Sequence, residues 1–239
     1  MRNYFDTPVS EQKKNKFITS GAANSFLTQV YSTMALGLVI TALAAWYVGH
    51  TPAVFNFLMT GFLKWVVILA PLGLVIFLSA RIHRLSFTNA SIAFATYSLL
   101  TGVSLSVLFL VYNIATLAQT FFITAGMFGA MALIGLTTKV DLSKFRSILY
   151  MGLVGIIIAS VVNIFMASSM FDFIISVVGV VIFAGLTAYD NQKLLEISLH
   201  ADPESESTKK IALMGALSLY LDFINLFLFL LRIFGGNRD

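Results

Sequence analysis

The chain has 239 residues, of which 58% are apolar and only 11% charged, a balance that excludes an ordinary soluble domain. It contains no cysteine, which excludes disulfides, thiolate metal sites and palmitoylation. Its net charge of +4 is spread over loops without one long basic face, so no nucleic-acid partner is expected.

Residues 1–28 are polar and basic, with Arg2, Lys13, Lys14 and Lys16. They read as a disordered or interfacial tail. The polar lead is too long before the first apolar run for a secretory signal. Seven apolar segments follow in residues 29–239: Val30–Val48, Phe62–Ala80, Ala90–Tyr112, Ala115–Thr137, Ile148–Met166, Phe171–Tyr189 and Ile211–Phe234. About 20 apolar residues span a bilayer, so the expected fold is an all-α membrane protein with seven transmembrane helices.

Lysine and arginine alternate between the connections. The tail, the second connection (Arg81, Arg84), the fourth (Lys139, Lys144, Arg146) and the sixth (Lys193, Lys209, Lys210) carry them, while the first, third and fifth carry none. The positive-inside rule then places the N-terminus in the cytoplasm. Arg232 and Arg238 break the alternation at the far end, but the length of the last segment favours a full crossing and an outside C-terminus. Small residues four apart (Ala125 and Gly129, Gly126 and Ala130, Gly155 and Ala159, Ala184 and Ala188) read as sites of close helix approach.

His50, His83 and His200 fall in different connections or at helix ends, which argues against a zinc site. No phosphate loop, nucleophile elbow or internal repeat is present, and no cofactor or enzyme is expected. Of eleven acidic residues, only Asp190 and Asp222 sit where a membrane helix would carry them inward. An ionisable group there costs about 2.5–3.5 kcal/mol or more and signals function.

The segment between these two reads as a helical hairpin. Residues Lys193 to His200 extend the sixth helix, and Asp202–Ser207, with Pro203, makes the turn. Asp190 lies twelve residues before that turn and Asp222 fifteen after it, so the two differ in height by about 5 Å. Thr187 and Asn225, three residues away, put polar groups on the same faces. Two carboxylic acids in contact titrate together, and a resting form that shares one proton avoids two bare charges. Arg81 is the first candidate for a cation that reaches the pair, and Arg84 the second. The plainer readings are that Asp190 snorkels at a helix end beside Lys193 and that Asp222 makes a structural hydrogen bond.

Four stretches resemble the transmembrane Bax-inhibitor-motif family: Leu186-Thr187-Ala188-Tyr189-Asp190-Asn191-Gln192-Lys193, Ala216 to Phe227, Leu99 to Ser106, and Thr124 to Ala130. The chain is similar to a bacterial inner-membrane member from about Val30 onward. The resemblance implies six helices wrapped around a central C-terminal seventh. It also implies a pH-sensitive calcium leak governed by Asp190 and Asp222, with Arg81 as the latch. Calcium would be the permeant ion, held transiently by the two carboxylates, which are too few for tight binding.

Two other functions compete. Some bacterial relatives are understood to modulate a membrane-embedded ATP-dependent protease, and the basic tail with Phe17 and Ile18 would supply such a contact. An intramembrane aspartyl protease would pair Tyr189-Asp190 with a Gly-x-Gly-Asp motif. Leu219-Tyr220-Leu221-Asp222 lacks its glycines.

Overall fold

The structure is a computed structural model that describes residues 9–202 and 205–235. Arg2, Pro203 and Arg238 lie outside the described residues, as do the side chains of Lys13, Lys14, Lys16, Phe17, Ile18 and His83. The described chain is helical without strands. Its helices are α1 (Val9–Gly49), α2 (Pro52–Met59), α3 (Leu63–Arg81), α4 (Phe87–Leu105), α5 (Leu108–Val111), α6 (Ile114–Thr137), α7 (Arg146–Met166), α8 (Ser169–Ser198) and α9 (Glu206–Gly235).

Seven helical stretches are long and apolar enough to cross a membrane, and they match the seven expected segments. Three details differ. From Val9 the polar tail is helix, continuous with the first span. Its Glu, Gln and Lys are good helix formers, and extending an existing helix avoids the cost of nucleation. The first connection contains α2, which opens with Pro52 at a helix start where its missing N–H is harmless. The third span is broken at Ser106 and Val107 into α4 and α5.

The helix starts are set by local chemistry. Ser86, Asn113 and Ser168 accept hydrogen bonds from the backbone N–H three residues on, capping α4, α6 and α8. Pro71 inside α3 has no N–H to offer the carbonyl of Val67. The Ser104 hydroxyl of α4 donates to that carbonyl at 2.6 Å, so a side chain satisfies the group and ties the two helices.

The last helix is the most enclosed span. In α9, 61% of the apolar window is buried, against 11% in α3 and 6% in α7. It packs against α8, α1, α6 and α4, while α3 leans mainly on α4 and α7 on α8. At its core Tyr220 donates a hydrogen bond to Thr41 of α1 at 2.6 Å, and Thr41 donates to the Ser98 carbonyl of α4 at 2.9 Å. Phe94 and Tyr97 close edge-on around the Tyr220 ring.

The first turn of α9 is pinned to the connection after Arg81 and Arg84. Glu206 accepts from the Phe87 N–H at 3.1 Å, and Lys210 donates to the Leu85 carbonyl at 3.2 Å. Its far end lies against Tyr112 and against the start of α8, where Arg232 pairs with Asp172 at 3.6 Å. The helix therefore traverses the whole bundle, and Arg232, one of the two arginines that break the charge alternation, is matched by an acid.

The small-residue pattern needs correction. A methyl group at Gly126, Gly129 or Gly155 would meet open space, so three of the four pairs present a glycine to no neighbour. Close approach occurs at Gly102, against the Thr41 carbonyl, and at Gly135, against the Ala188 carbonyl. Small residues permit contact, but the facing helix must supply the ridge that fills the groove.

Candidate functional site

Three successive residues of α8 face three different elements, as a 100° step per residue requires. Asp190 opens toward α7 and α9. Asn191, fully buried, accepts a hydrogen bond from the Tyr31 hydroxyl of α1 and donates to the Thr187 carbonyl at 2.7 Å. Gln192 clasps the connection between α6 and α7 with both atoms of its amide. It accepts from the Leu142 N–H and donates to the Val140 carbonyl, each at 2.8 Å.

Asp190 and Asp222 line one cavity of about 530 Å³ between α7, α8 and α9. Its walls are mostly Leu, Ile, Val and Phe, with Tyr150, Ser160, Ser218 and Asn225 as the other polar groups. Asp190 is half-buried. Asp222 is only 5% exposed, and its Oδ2 is buried with no hydrogen-bond partner. The heights follow from packing. Leu194 lies on Gly215 and Phe229 on Gly179, so Asp190 stands level with Ser218 and Asp222 about one turn away, roughly 5 Å.

The two polar neighbours part company. Asn225 shares the cavity, and its amide donates to the Leu221 carbonyl at 2.8 Å. Thr187 is fully buried off the cavity, with its hydroxyl donating to the Phe183 carbonyl. Arg81 and Arg84 are exposed around the end of α3. Among the described residues, no hydrogen bond or ion pair joins the Arg81 side chain to either aspartate. The cations whose charge bears on Asp190 are Lys193, three residues on, and Arg146, at the start of α7. Arg146 stacks over the ring of Tyr150, which lines the cavity. Among the described residues, no three His, Asp or Glu side chains gather as a metal cage.

Sequence reasoning passed over Tyr31, Asn191, Gln192, Tyr150, Ser218 and Arg146. Asn191 and Gln192 lay inside the quoted stretch beside Asp190, and that adjacency was the available signal. Arg146 had already been counted among the loop cations.

Residues 23–239 match the family described as "Inhibitor of apoptosis-promoting Bax1". The chain belongs to the Bax inhibitor family. Among its relatives, the inner membrane protein YbhL of Escherichia coli K12 is 48% identical over 216 residues, which is 90% of this chain and 92% of that protein. A protein of Borreliella burgdorferi is 42% identical over 217 residues, covering 90% and 94%. RP147 of Rickettsia prowazekii is 40% identical over 232 residues, covering 97% of both chains. With seven apolar spans and a similar inner membrane protein, this Bax inhibitor family member is a multi-pass membrane protein.

Proposed function

We propose that this protein is a pH-sensitive calcium leak channel whose gate is the pair Asp190 and Asp222. One observation carries the reading: Asp222 keeps an unpartnered carboxyl oxygen inside an apolar cavity that it shares with Asp190. A buried carboxyl without a partner is expensive, and that cost is retained where the group has a task. Calcium takes hard oxygen ligands, and the cavity offers two carboxyls, an amide and hydroxyls. Two acids bind calcium too weakly to store it, which suits conduction.

In this reading a change of proton occupancy alters the charge between α8 and α9 and moves one helix against the other. Arg81 acts as the latch in an arrangement where the end of α3 swings toward the pair. In the arrangement described, Lys193 and Arg146 supply the positive charge. The N-terminus is cytoplasmic and the C-terminus outside. A reporter fused after Asp239 is expected to be active only outside, and cytoplasmic activity would refute that orientation.

The deciding experiment is calcium flux into liposomes that contain the purified protein. Flux that responds to pH in the wild type, and loses that response in Asp190→Asn and Asp222→Asn, supports the channel. Wild-type liposomes as tight to calcium as empty ones overturn it.

A second reading, modulation of a membrane-embedded ATP-dependent protease, is favoured by the extension of α1 from Val9, which adds twenty-one residues of helix before the apolar run that starts at Val30. Deleting residues 1–22 separates the two, because the leak survives the deletion and the partner contact does not.

A further inference from the structure

A second cavity, of about 170 Å³, lies between α8 and α9 on the side of their connecting turn. Lys193 and Ile197 line it from α8, and Ile211 and Met214 from α9. Two residues, Asp190 and Ser218, line both this chamber and the larger one that holds Asp222. Every other lining residue belongs to one chamber alone. The order along each helix agrees. On α9 the small chamber takes residues before Ser218 and the large one residues after it. On α8 the large chamber takes residues before Asp190 and the small one residues after it. The two boundary residues stand level, and both are half-buried.

We propose that Asp190 and Ser218 form the constriction of a route for a divalent cation between α8 and α9, and that Ser218 sets its width. The inference rests on the leak reading and adds the route. A hydrated cation entering from the small chamber exchanges water for the Asp190 carboxylate and the Ser218 hydroxyl, both hard oxygen ligands. The next oxygens are those of Asp222, one turn on, followed by the Asn225 amide. Sites spaced in this way let an ion bind at each step and still leave. Serine is the smallest side chain that offers an oxygen there. Lys193, an exposed residue that lines the small chamber three positions from Asp190, carries a positive charge that competes with the ion for that carboxylate.

The chain has no native cysteine, so one introduced thiol reports one position. In Ser160→Cys the thiol lines the large chamber. A membrane-impermeant cationic methanethiosulfonate is added on the side of the α8–α9 turn. Modification is expected with Ser218 in place, faster with Ser218→Gly, and slower by about tenfold or more with Ser218→Val or Ser218→Trp, as a pore constriction dictates. Ser160→Cys that never reacts, or that reacts at one rate whatever the size of residue 218, overturns the route. If the bulky variants fail to fold, the Ser218→Gly arm decides alone, and no acceleration there refutes the constriction. Calcium flux in the same proteoliposomes separates this inference from the one beneath it. No flux in any protein, with thiol reaction graded by residue 218, removes the calcium reading and leaves a gated water path. Wild-type flux that residue 218 does not alter, with ungraded thiol reaction, removes the route and leaves the leak.

Discussion

The Tyr31 hydroxyl donates a hydrogen bond to the Asn191 amide oxygen, joining α1 to the turn of α8 that carries Asp190. The two residues are 160 positions apart. The first helix is thereby coupled to the position and angle of Asp190. Asn191 also donates to the Thr187 carbonyl, so its amide is held at both ends.

Tyr31→Phe removes the donor and leaves a buried amide oxygen unpaired. Hydrogen bonds between membrane helices are worth about 0.6–2 kcal/mol, and the loss in stability should fall in that range. Thermal unfolding in detergent measures it. The double variant Tyr31→Phe/Asn191→Leu removes both partners and should cost less than Tyr31→Phe alone if packing is preserved; the opposite order would mean that the amide's main task is its bond to Thr187.

Gly135→Ala should be the most damaging single methyl in the bundle. Its Cβ would run into the Ala188 carbonyl, a backbone atom that cannot rotate away, two residues before Asp190. Overpacking of this kind costs about 1–3 kcal/mol. Gly126→Ala and Gly129→Ala on the same helix meet open space and serve as controls. Unfolding midpoints of the three variants test the contrast, and equal losses would refute it.

The seven spans were legible because lipid-facing and core-facing residues are both apolar, which leaves long uninterrupted runs. The aspartates were legible because a charge inside such a run has few alternative explanations. The break at Ser106 carries no Gly or Pro and leaves the run apolar, so hydropathy passes over it. Tyr31, Thr41 and Asn191 are uncharged, and whether such a side chain bonds across helices depends on a partner far along the chain. The glycine pattern misled for the same reason. Gly129 and Gly135 look alike in sequence, and only the facing surface distinguishes them. Arg81 and Arg146 are equivalent as loop cations until α7 brings Arg146 over Tyr150.

Arg146 and Arg81 can be told apart by flux. Arg146 bears on Asp190 in the arrangement described, and Arg81 would have to swing inward. Arg146→Ala is therefore expected to change resting calcium flux more than Arg81→Ala does. A larger effect of Arg81→Ala would show that the resting protein adopts the swung-in arrangement, with the Arg81 latch engaged.

Asp141 gives a pH effect outside the spans. The side chain and backbone of Ser143 hydrogen-bond its carboxyl and hold it below the usual carboxylate range, with the backbone bond at 3.0 Å. A folded pKa below the unfolded one stabilises the turn Leu142–Phe145 at neutral pH. That contribution is lost only as the pH falls through the depressed folded value. Hydrogen exchange at the Ser143 amide should accelerate in acid, beyond the intrinsic trend, in the wild type. In Asp141→Ala it should be fast throughout, and equal protection in both proteins would remove the cap.

Asp190 and Asp222 share an apolar cavity at heights about one turn apart. Two bare charges there repel across few screening waters, while one proton between them relieves both the repulsion and the desolvation. On the leak reading, their joint proton count is the variable through which pH acts. Asparagine keeps the shape and the hydrogen bonds of aspartate and removes the titration. Each single variant leaves one acid without its coupled partner, so both Asp190→Asn and Asp222→Asn should flatten the response of calcium flux across neutral pH. The double variant should be no flatter than either single one, since the response belongs to the pair. Flux that keeps the wild-type pH profile in both single variants would make the carboxyls structural and place the pH sensor elsewhere. A profile lost in one variant and kept in the other would assign the sensor to a single acid, most directly to Asp222, whose unpartnered oxygen lies deepest.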